Sequence, residues 1–473
     1  MISTPAEDSF TPDPGQAGLG QPVAGQDALS IFNVMTAEEQ AEFFADKAAF
    51  GTADEETSDL SDFDDLVIED FRLEDDAELE EDDAELENQA DDIGREVKAT
   101  PTLVITALVD LAAPFREVCD AASLARVLNT ALPWYAHQHP SAAKKLVSVR
   151  ALNYYAYKKQ ADRYRTFQIA KRAKGEKREI KAPDAGLLRI QRLMLLCLSA
   201  TFGMGDNASH GFVPGRSVLT NAQPHVGRRF VLNLDLKDYF PRTHIGKVVA
   251  VLQLAPFKLN KDGAYLVANL CCDQGALPQG APTSPLLTNV VCQRLDRQLG
   301  QLAKQFHCRY TRYADDLTFS SNRHVFTERF HTALNAILAR EGYEQNLKKQ
   351  RLQTPEMRQE VTGVVVNERP SAPREYVRQI RAMLHNWDKL GYEAATTKLI
   401  VGYGESKAAS RHKGCVPKLE RVIAGKIAYL GMVRGTDDPL YHQLAHRLAL
   451  LVSEEYKQTL TLLELLRRTE EFL

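Results

Sequence analysis

Paired cysteines are the first thing this 473-residue sequence lacks: Cys119, Cys197, Cys271, Cys272, Cys292, Cys308 and Cys415 are odd in number and never spaced as C-x-x-C. That argues against a disulfide framework or a structural zinc site, and the thiols read as buried and reduced. Also missing is a run of about 18 uncharged apolar residues, and the N-terminal MISTPAEDSF has no basic leader before an apolar core. Neither a membrane span nor a secretion signal is expected, and the expected compartment is the cytoplasm. No self-similarity at a period of about 20–50 residues signals a solenoid.

Bases are nearly absent from residues 1–92, which hold 29 acids and 2 bases, net −27. Residues 93–473 therefore carry 34 acids and 56 bases, net +22, so the mild overall charge of −5 conceals two opposite electrostatic objects. A basic body of this kind suits a protein that neutralises a polyphosphate backbone, although surface basic excess is also common in soluble proteins. Residues 1–30, rich in Pro, Gly, Gln and Ala, and 54–92, with 21 acids against Arg72 alone, are expected to be disordered. Between them, Phe32 to Phe50 has helical spacing and reads as a linker helix, with a docking segment as the other reading. The acidic run reads as a solvated tail, with imitation of nucleic acid as its alternative.

From about residue 100 the pattern turns globular and helical. A strip of Lys158, Lys159, Arg163, Arg165, Lys171, Arg172, Lys174, Lys177, Arg178 and Lys181 interleaves with Tyr154, Tyr155, Tyr157, Tyr164 and Phe167, a mixture that suits a nucleic-acid groove. FVLNLD (230–235) and RYTRYADDLTFS (309–320) read as strands with helical stretches between them, predicting an α+β sheet that presents carboxylates from two strands. Adjacent acids at a hairpin tip, Asp315-Asp316, repel each other, and a divalent cation relieves that repulsion most simply. Magnesium takes one or two carboxylates plus substrate phosphates, and Asp235 at the end of the other strand supplies the further acid. Two such ions, roughly 3.5–4 Å apart, would activate an attacking hydroxyl and stabilise a leaving pyrophosphate oxygen.

The block Tyr313-Ala314-Asp315-Asp316, preceded by Asp235-Leu236-Lys237-Asp238-Tyr239-Phe240 and by LPQGAPTSP (277–285), resembles the palm of a reverse transcriptase, with the blocks in family order. GEKREIKAPDAGLLRIQRLML and HGFVPGRS upstream resemble the fingers blocks. Asn221-Ala222-Gln223-Pro224-His225 and Val361-Thr362-Gly363 fit the NAxxH and VTG signatures of retron reverse transcriptases, the enzymes that make a branched RNA–DNA hybrid. The chain is thereby identified as similar to that family from about residue 150 to the end.

The resemblance implies a right-hand polymerase: a disordered acidic arm (1–92), N-terminal helices and fingers (93–230), a palm with a ferredoxin-like sheet (231–366) and a helical, RNA-binding thumb (367–473). It implies two Mg2+ ions held by Asp235 and Asp315, with Asp316 weaker or behind them. Nucleotide-binding candidates are Lys177, Arg178 and Arg216 at the triphosphate, Gln279 and Gly280 beneath the incoming nucleotide, and Phe240, whose bulk would exclude a ribose 2′-hydroxyl or simply fill the core. Lys349, after Asn346 in EGYEQNLKKQRL, matches an N-x-x-K block whose lysine would protonate pyrophosphate, with Lys348 in near register and a surface lysine as the rival. Asp238 reads as a helix cap. His225 reads as orienting a loop through a hydrogen bond rather than as a base, and in retrons the Asn221–His225 region is tied to recognising the cognate RNA.

Arg374, Arg378, Arg381 and His385 fall at offsets 0, 4, 7 and 11, one face of a helix whose other face is Val377, Ile380, Leu384 and Trp387. That basic face is the RNA-binding candidate, since RNA helices are read through phosphates and 2′-hydroxyls. Implied partners are a structured noncoding RNA and its RNA–DNA product, deoxynucleotides, and an effector carried on a separate chain, with a role in phage defence. The alternatives are a reverse transcriptase of another lineage and a nucleic-acid-binding scaffold that restrains a partner.

Overall fold

A computed structural model describes residues 108–138, 146–159, 161–170, 177–203, 205, 207–404 and 418–470. The acidic arm with its Phe32–Phe50 patch, Lys171, Arg172, Lys174 and Cys415 lie outside the described residues.

Among the described residues three apolar cores organise the fold. The first joins helix α1 (Ala121–Gln138) to α2 (Ala185–Phe202), through Leu124 and Leu128 of one and Leu187, Ile190, Leu193, Met194 and Leu198 of the other. Among the described residues α2 alone has the length and composition to cross a membrane, but it carries Arg189 and Arg192 and its apolar side fills this core. Asp184 starts it by accepting the Leu187 N–H at 2.9 Å. Strands β1 (Tyr164–Ala170) and β2 (Lys177–Pro183) pair antiparallel just before it, from Tyr164↔Pro183 to Ala170↔Lys177, so Lys177 and Arg178 sit at the hairpin tip. Helices α3 (Ile245–Gln253) and α4 (Lys261–Cys271), which follow Asp235 in sequence, return to this same core through Val248, Leu252, Ala264, Val267 and Leu270.

The second core lies under a four-stranded antiparallel sheet of β3 (Phe230–Asp235), β4 (Arg309–Tyr313), β5 (Asp316–Ser321) and β6 (Arg351–Gln353), in the order β4-β5-β3-β6. With helices between β3 and β4 and between β5 and β6, this is the ferredoxin-like order expected of a palm. Strand side chains alternate between faces. Leu232, Leu234, Leu317 and Phe319 point to helices α5 (Ser284–Gln305) and α6 (Glu328–Glu341), where they meet Leu295, Leu299, Phe330 and Leu334. Each such fully buried side chain contributes about 1.5–3 kcal/mol. The register leaves Asn233, Asp235, Asp316, Thr318, Ser320 and Thr311 on the other face.

The third core begins with a tight hairpin, β7 (Glu360–Val361) and β8 (Val364–Val365), which turns on Thr362 and Gly363 at φ 45° and 83°. Among the described residues four helices follow: α7 (Arg374–Leu390), α8 (Tyr392–Gly404), α9 (Leu419–Arg434) and α10 (Pro439–Glu470). Ile380, Leu384 and Trp387 of α7 pack against Ile423 and Ile427 of α9 and Leu444 of α10, while Arg374, Arg378, Arg381 and His385 face out, as their spacing predicts. Val361, Val364, Ala222 and Val231 belong to this core too, so it packs on the face of β3 that carries Asp235. The fold is that of a right-hand polymerase.

Candidate active site

Asp235 and Asp316 are direct partners in the β3–β5 register, which places their Cα atoms about 4.5–5.5 Å apart on one face of the sheet. Asp315 sits between the strands, in the two-residue turn closed by the pair Tyr313↔Asp316. That turn needs a left-handed residue, and Ala314 takes the role at φ 51° while fully buried. The Leu236 N–H donates to the Asp315 carbonyl at 3.0 Å and the Asn346 N–H to the Asp235 carbonyl at 2.8 Å, so three segments are laced together at the acids. Asp235 is 5% exposed, whereas Asp315 and Asp316 are half-buried.

The second of these bonds brings in Lys349. Its Nζ lies 3.3 Å from Asp235 Oδ1, whereas Lys348 faces solvent in the same 3-10 turn, so the fold selects Lys349 of the two. The donors present, carboxylate oxygens from two paired positions and the turn between them, have the chemistry of a hard divalent cation. Among the described residues no group of three or more His, Cys, Asp and Glu side chains forms a ready cage. Magnesium, which completes its octahedron with substrate phosphate and water, asks for one or two carboxylates rather than a cage.

Behind the turn lies a group that sequence reading missed. Arg312, fully buried on β4, forks onto Asp296 of α5, with Nε 2.8 Å from Oδ1 and Nη2 2.7 Å from Oδ2. It also donates to the Tyr239 hydroxyl at 2.6 Å, Asn289 Oδ1 at 3.0 Å, the Ala314 carbonyl at 3.1 Å and Ser209 Oγ at 3.1 Å. One guanidinium therefore ties the Asp235 block, the helix after the glycine loop and the hairpin that bears Asp315. Burial alone would pull its pKa down, but Asp296 and Tyr239 outweigh that and hold it above the ordinary range. Gly211 packs against the same turn: a Cβ there would lie 2.6 Å from the Ala314 nitrogen. Only the unusual density of polar partners in one helix, Asn289 and Asp296 a heptad apart, hinted at this from sequence.

The other candidates fall into two groups. Gln279 and Gly280 form a loop fastened to the fingers hairpin, the Lys181 N–H donating to the Gln279 carbonyl at 2.8 Å. Gly280 is required here by β2, not by open space for a substrate: at φ 124° its Cβ would sit 2.8 Å from the Lys181 carbonyl and 2.9 Å from Ile180. Phe240 is 5% exposed, edge-on to Tyr239 within the palm core, so its ring is first of all a core group. Lys177 is exposed and Arg178 half-buried at the hairpin tip, while the Arg216 guanidinium folds back onto the Ser209 carbonyl and Asn207.

Several expectations need correction. Asp238 caps no helix: it is an exposed turn residue at φ 51°, and the next helix starts at Ile245 behind His244. Arg163 leaves the nucleic-acid strip, because it is 2% exposed and donates to the carbonyls of Tyr155, Asn269 and Cys272, closing the C-terminal end of α4. Lys159 is held at 2.8 Å by Asp184 and Lys181 at 2.8 Å by Asp273. Asn221 and His225 are fully buried and so present no surface to RNA. The His225 ring lies 2.7 Å from Ser320 Oγ and 2.8 Å from Thr311 Oγ1, and burial pushes its pKa down to about 3, which keeps it neutral.

The chain matches the family model for reverse transcriptase (RNA-dependent DNA polymerase) over residues 169–393. It is 39% identical over 285 residues to the retron Mx65 reverse transcriptase of Myxococcus xanthus, covering 56% of this chain and 66% of that one. To the retron Mx162 reverse transcriptase of the same organism it is 36% identical, covering 51% and 57%, and to the retron Ec86 reverse transcriptase of Escherichia coli 33% identical, covering 55% and 81%. The chain thus spans about two thirds or less of the length of the two Myxococcus relatives. Among solved structures, telomerase from Candida albicans with a TWJ fragment of telomeric RNA overlaps 69% of this chain and 68% of its own at a TM-score of 0.35 and 12% identity, too loosely to inform the fold.

Proposed function

The chain belongs to the retron reverse transcriptases, and from that premise we propose that it is an RNA-directed DNA polymerase that copies part of a structured noncoding RNA into DNA. The observation that carries this reading is the register pair Asp235↔Asp316 with Asp315 in the adjoining turn, buttressed by Arg312. Asp235, Asp315 and Asp316 would hold magnesium, two ions in the full mechanism. Magnesium bound there supplies charge neutralisation for the attacking hydroxyl and the triphosphate.

The chain's own residues do the rest. The Gln279–Gly280 loop, braced on β2, supports the base and sugar of the incoming deoxynucleotide, with the Phe240 edge beneath its 2′ carbon. Lys177 and Arg178 at the hairpin tip neutralise the triphosphate. Lys349, beside Asp235, protonates departing pyrophosphate in this reading. The exposed Arg374, Arg378 and Arg381 of α7 seat on RNA phosphates. The reading extends to priming from a guanosine 2′-hydroxyl, a 2′–5′ branched product, a cytoplasmic setting and a part in phage defence beside a separate effector.

The test is to express the chain with the DNA flanking its gene, extract nucleic acid from the parent and from Asp315→Ala/Asp316→Ala, and treat it with a 2′–5′ debranching enzyme. A debranching-sensitive RNA–DNA species in the parent alone is expected. Polymerisation on a supplied primer–template without any branched species would move the chain out of branch-priming chemistry.

A further inference from the structure

The two signatures that single out this family are far apart in sequence and meet in one assembly, in which Asn221 and His225 are fully buried and Thr362 half-buried. Asn221 Nδ2 donates to Thr362 Oγ1 at 3.3 Å, and Thr362 Oγ1 donates onward to the Val218 carbonyl at 3.3 Å. The Gly227 N–H donates to the Val366 carbonyl at 2.9 Å. Ala222 and Val231 sit in the thumb core with Val361, Val364 and Val366. Thr362 is a β-branched residue held at φ 45°, a conformation that persists only where its surroundings over-determine it.

From this assembly His225 reaches the two strands of the hairpin whose turn carries Asp315. Its ring spans both of them, touching Thr311 on β4 and Ser320 on β5. Thr311 Oγ1 also lies 3.4 Å from the Asn221 carbonyl, so one hydroxyl links the His225 ring to the Asn221 backbone. A second tie runs parallel: Asn233 Nδ2 donates to the Glu360 carbonyl at 2.7 Å, while Asn233 Oδ1 lies 3.4 Å from Thr318 Oγ1.

Position on the sheet gives the assembly its meaning. Paired and alternate residues share a face, so Asn233, Thr318 and Thr311 form the row behind Asp235 and Asp316, and Val231 and Ser320 the next. The joint therefore occupies the same face as the acids, within about 13 Å of them along the strands. It locks that face to the hairpin from which the arginine-bearing thumb hangs.

We propose that Asn221, His225 and Thr362 are positioning residues of a buried palm–thumb joint that fixes where thumb-held nucleic acid meets the carboxylates, and that they touch no RNA themselves. This rests on the polymerase reading above. It predicts that weakening the joint harms turnover on any template while leaving RNA affinity intact, whereas direct RNA recognition predicts the reverse.

The experiment compares full-length parent with His225→Gln, Thr362→Val and Thr311→Val, the two valines being near-isosteric. It measures the Kd for the transcript of the DNA adjoining the gene, and kcat and deoxynucleotide KM on an unrelated RNA template with a DNA primer. Expected are a Kd within about twofold of parent, a kcat at least about tenfold lower and a KM changed by less than about threefold. A merely structural role would lower the melting temperature without that split; the valine variants are expected to melt within about 5 °C of parent. A Kd raised more than about tenfold with unrelated-template turnover intact overturns the joint, as does unchanged turnover in all three variants. Incorporation by the parent reports separately on the polymerase reading: were the parent inactive on every template, the Kd arm would still decide between joint and RNA contact.

Discussion

Arg312 and Asp296 are a fully buried ion pair in which every polar atom is used, and removing one partner strands the other's charge. Arg312→Met is expected to cost roughly 3–5 kcal/mol in urea unfolding, and Arg312→Met/Asp296→Leu less than that, because no charge is then left unpaired. His225 gives a pH signature. Its folded pKa of about 3 lies below that of the unfolded imidazole, so above pH about 6.5 it contributes nothing to pH dependence. As pH falls below that, the unfolded chain gains a proton that the folded chain refuses, and stability drops by up to about 1.4 kcal/mol per pH unit towards the folded pKa. His210, held down to about 4 by burial and then by Arg216 and Arg312, adds in the same direction. Urea midpoints taken from pH 7 to 5 are expected to fall, and to fall less in His225→Gln. A flat profile in the parent would contradict the buried neutral imidazole.

At the scale of elements, the glycine loop and the fingers hairpin behave as one piece because Gly280 lies on the β2 backbone. Gly280→Ala puts a methyl against the Lys181 carbonyl at a φ of 124°, and should cost about 1–3 kcal/mol and raise the deoxynucleotide KM more than it lowers stability-corrected kcat. Steady-state kinetics checks it. Elements were also where the sequence was most and least legible. Strands ending in Asp235 and flanking Asp315-Asp316 could be read because β-branched and aromatic residues stop abruptly at acids, and α7 because its arginines repeat at helical spacing. Arg163, Arg312 and the Asn221–His225 segment could not. A charged or amide side chain reads as surface from sequence, and only tertiary packing supplies the carbonyls, Asp296 or hydroxyls that make its burial affordable.

Across the whole molecule the charge division sets association. The face of α7 points three arginines outward, and each phosphate contact adds a little under one to the salt slope of RNA binding. Arg374→Gln/Arg378→Gln/Arg381→Gln is expected to reduce the slope of log K against log salt by about 2–3 without altering the melting temperature by more than about 3 °C. Deleting residues 1–92 removes a net −27 and leaves a chain of net +22. RNA affinity should rise at low salt and converge with the parent's near 1 M, where the screening length is about 3 Å.

The central claim is that Asp235, Asp315 and Asp316 form a catalytic centre for DNA synthesis on RNA. Its most direct measurement is deoxynucleotide incorporation on an RNA template by parent, Asp235→Asn and Asp315→Asn, with magnesium varied and RNA affinity measured on the same preparations. The account predicts magnesium-dependent synthesis by the parent, a loss of at least about a hundredfold in each variant and RNA affinity within about threefold of the parent's. Synthesis that survives both substitutions, or a folded parent that binds RNA and incorporates nothing, would contradict it.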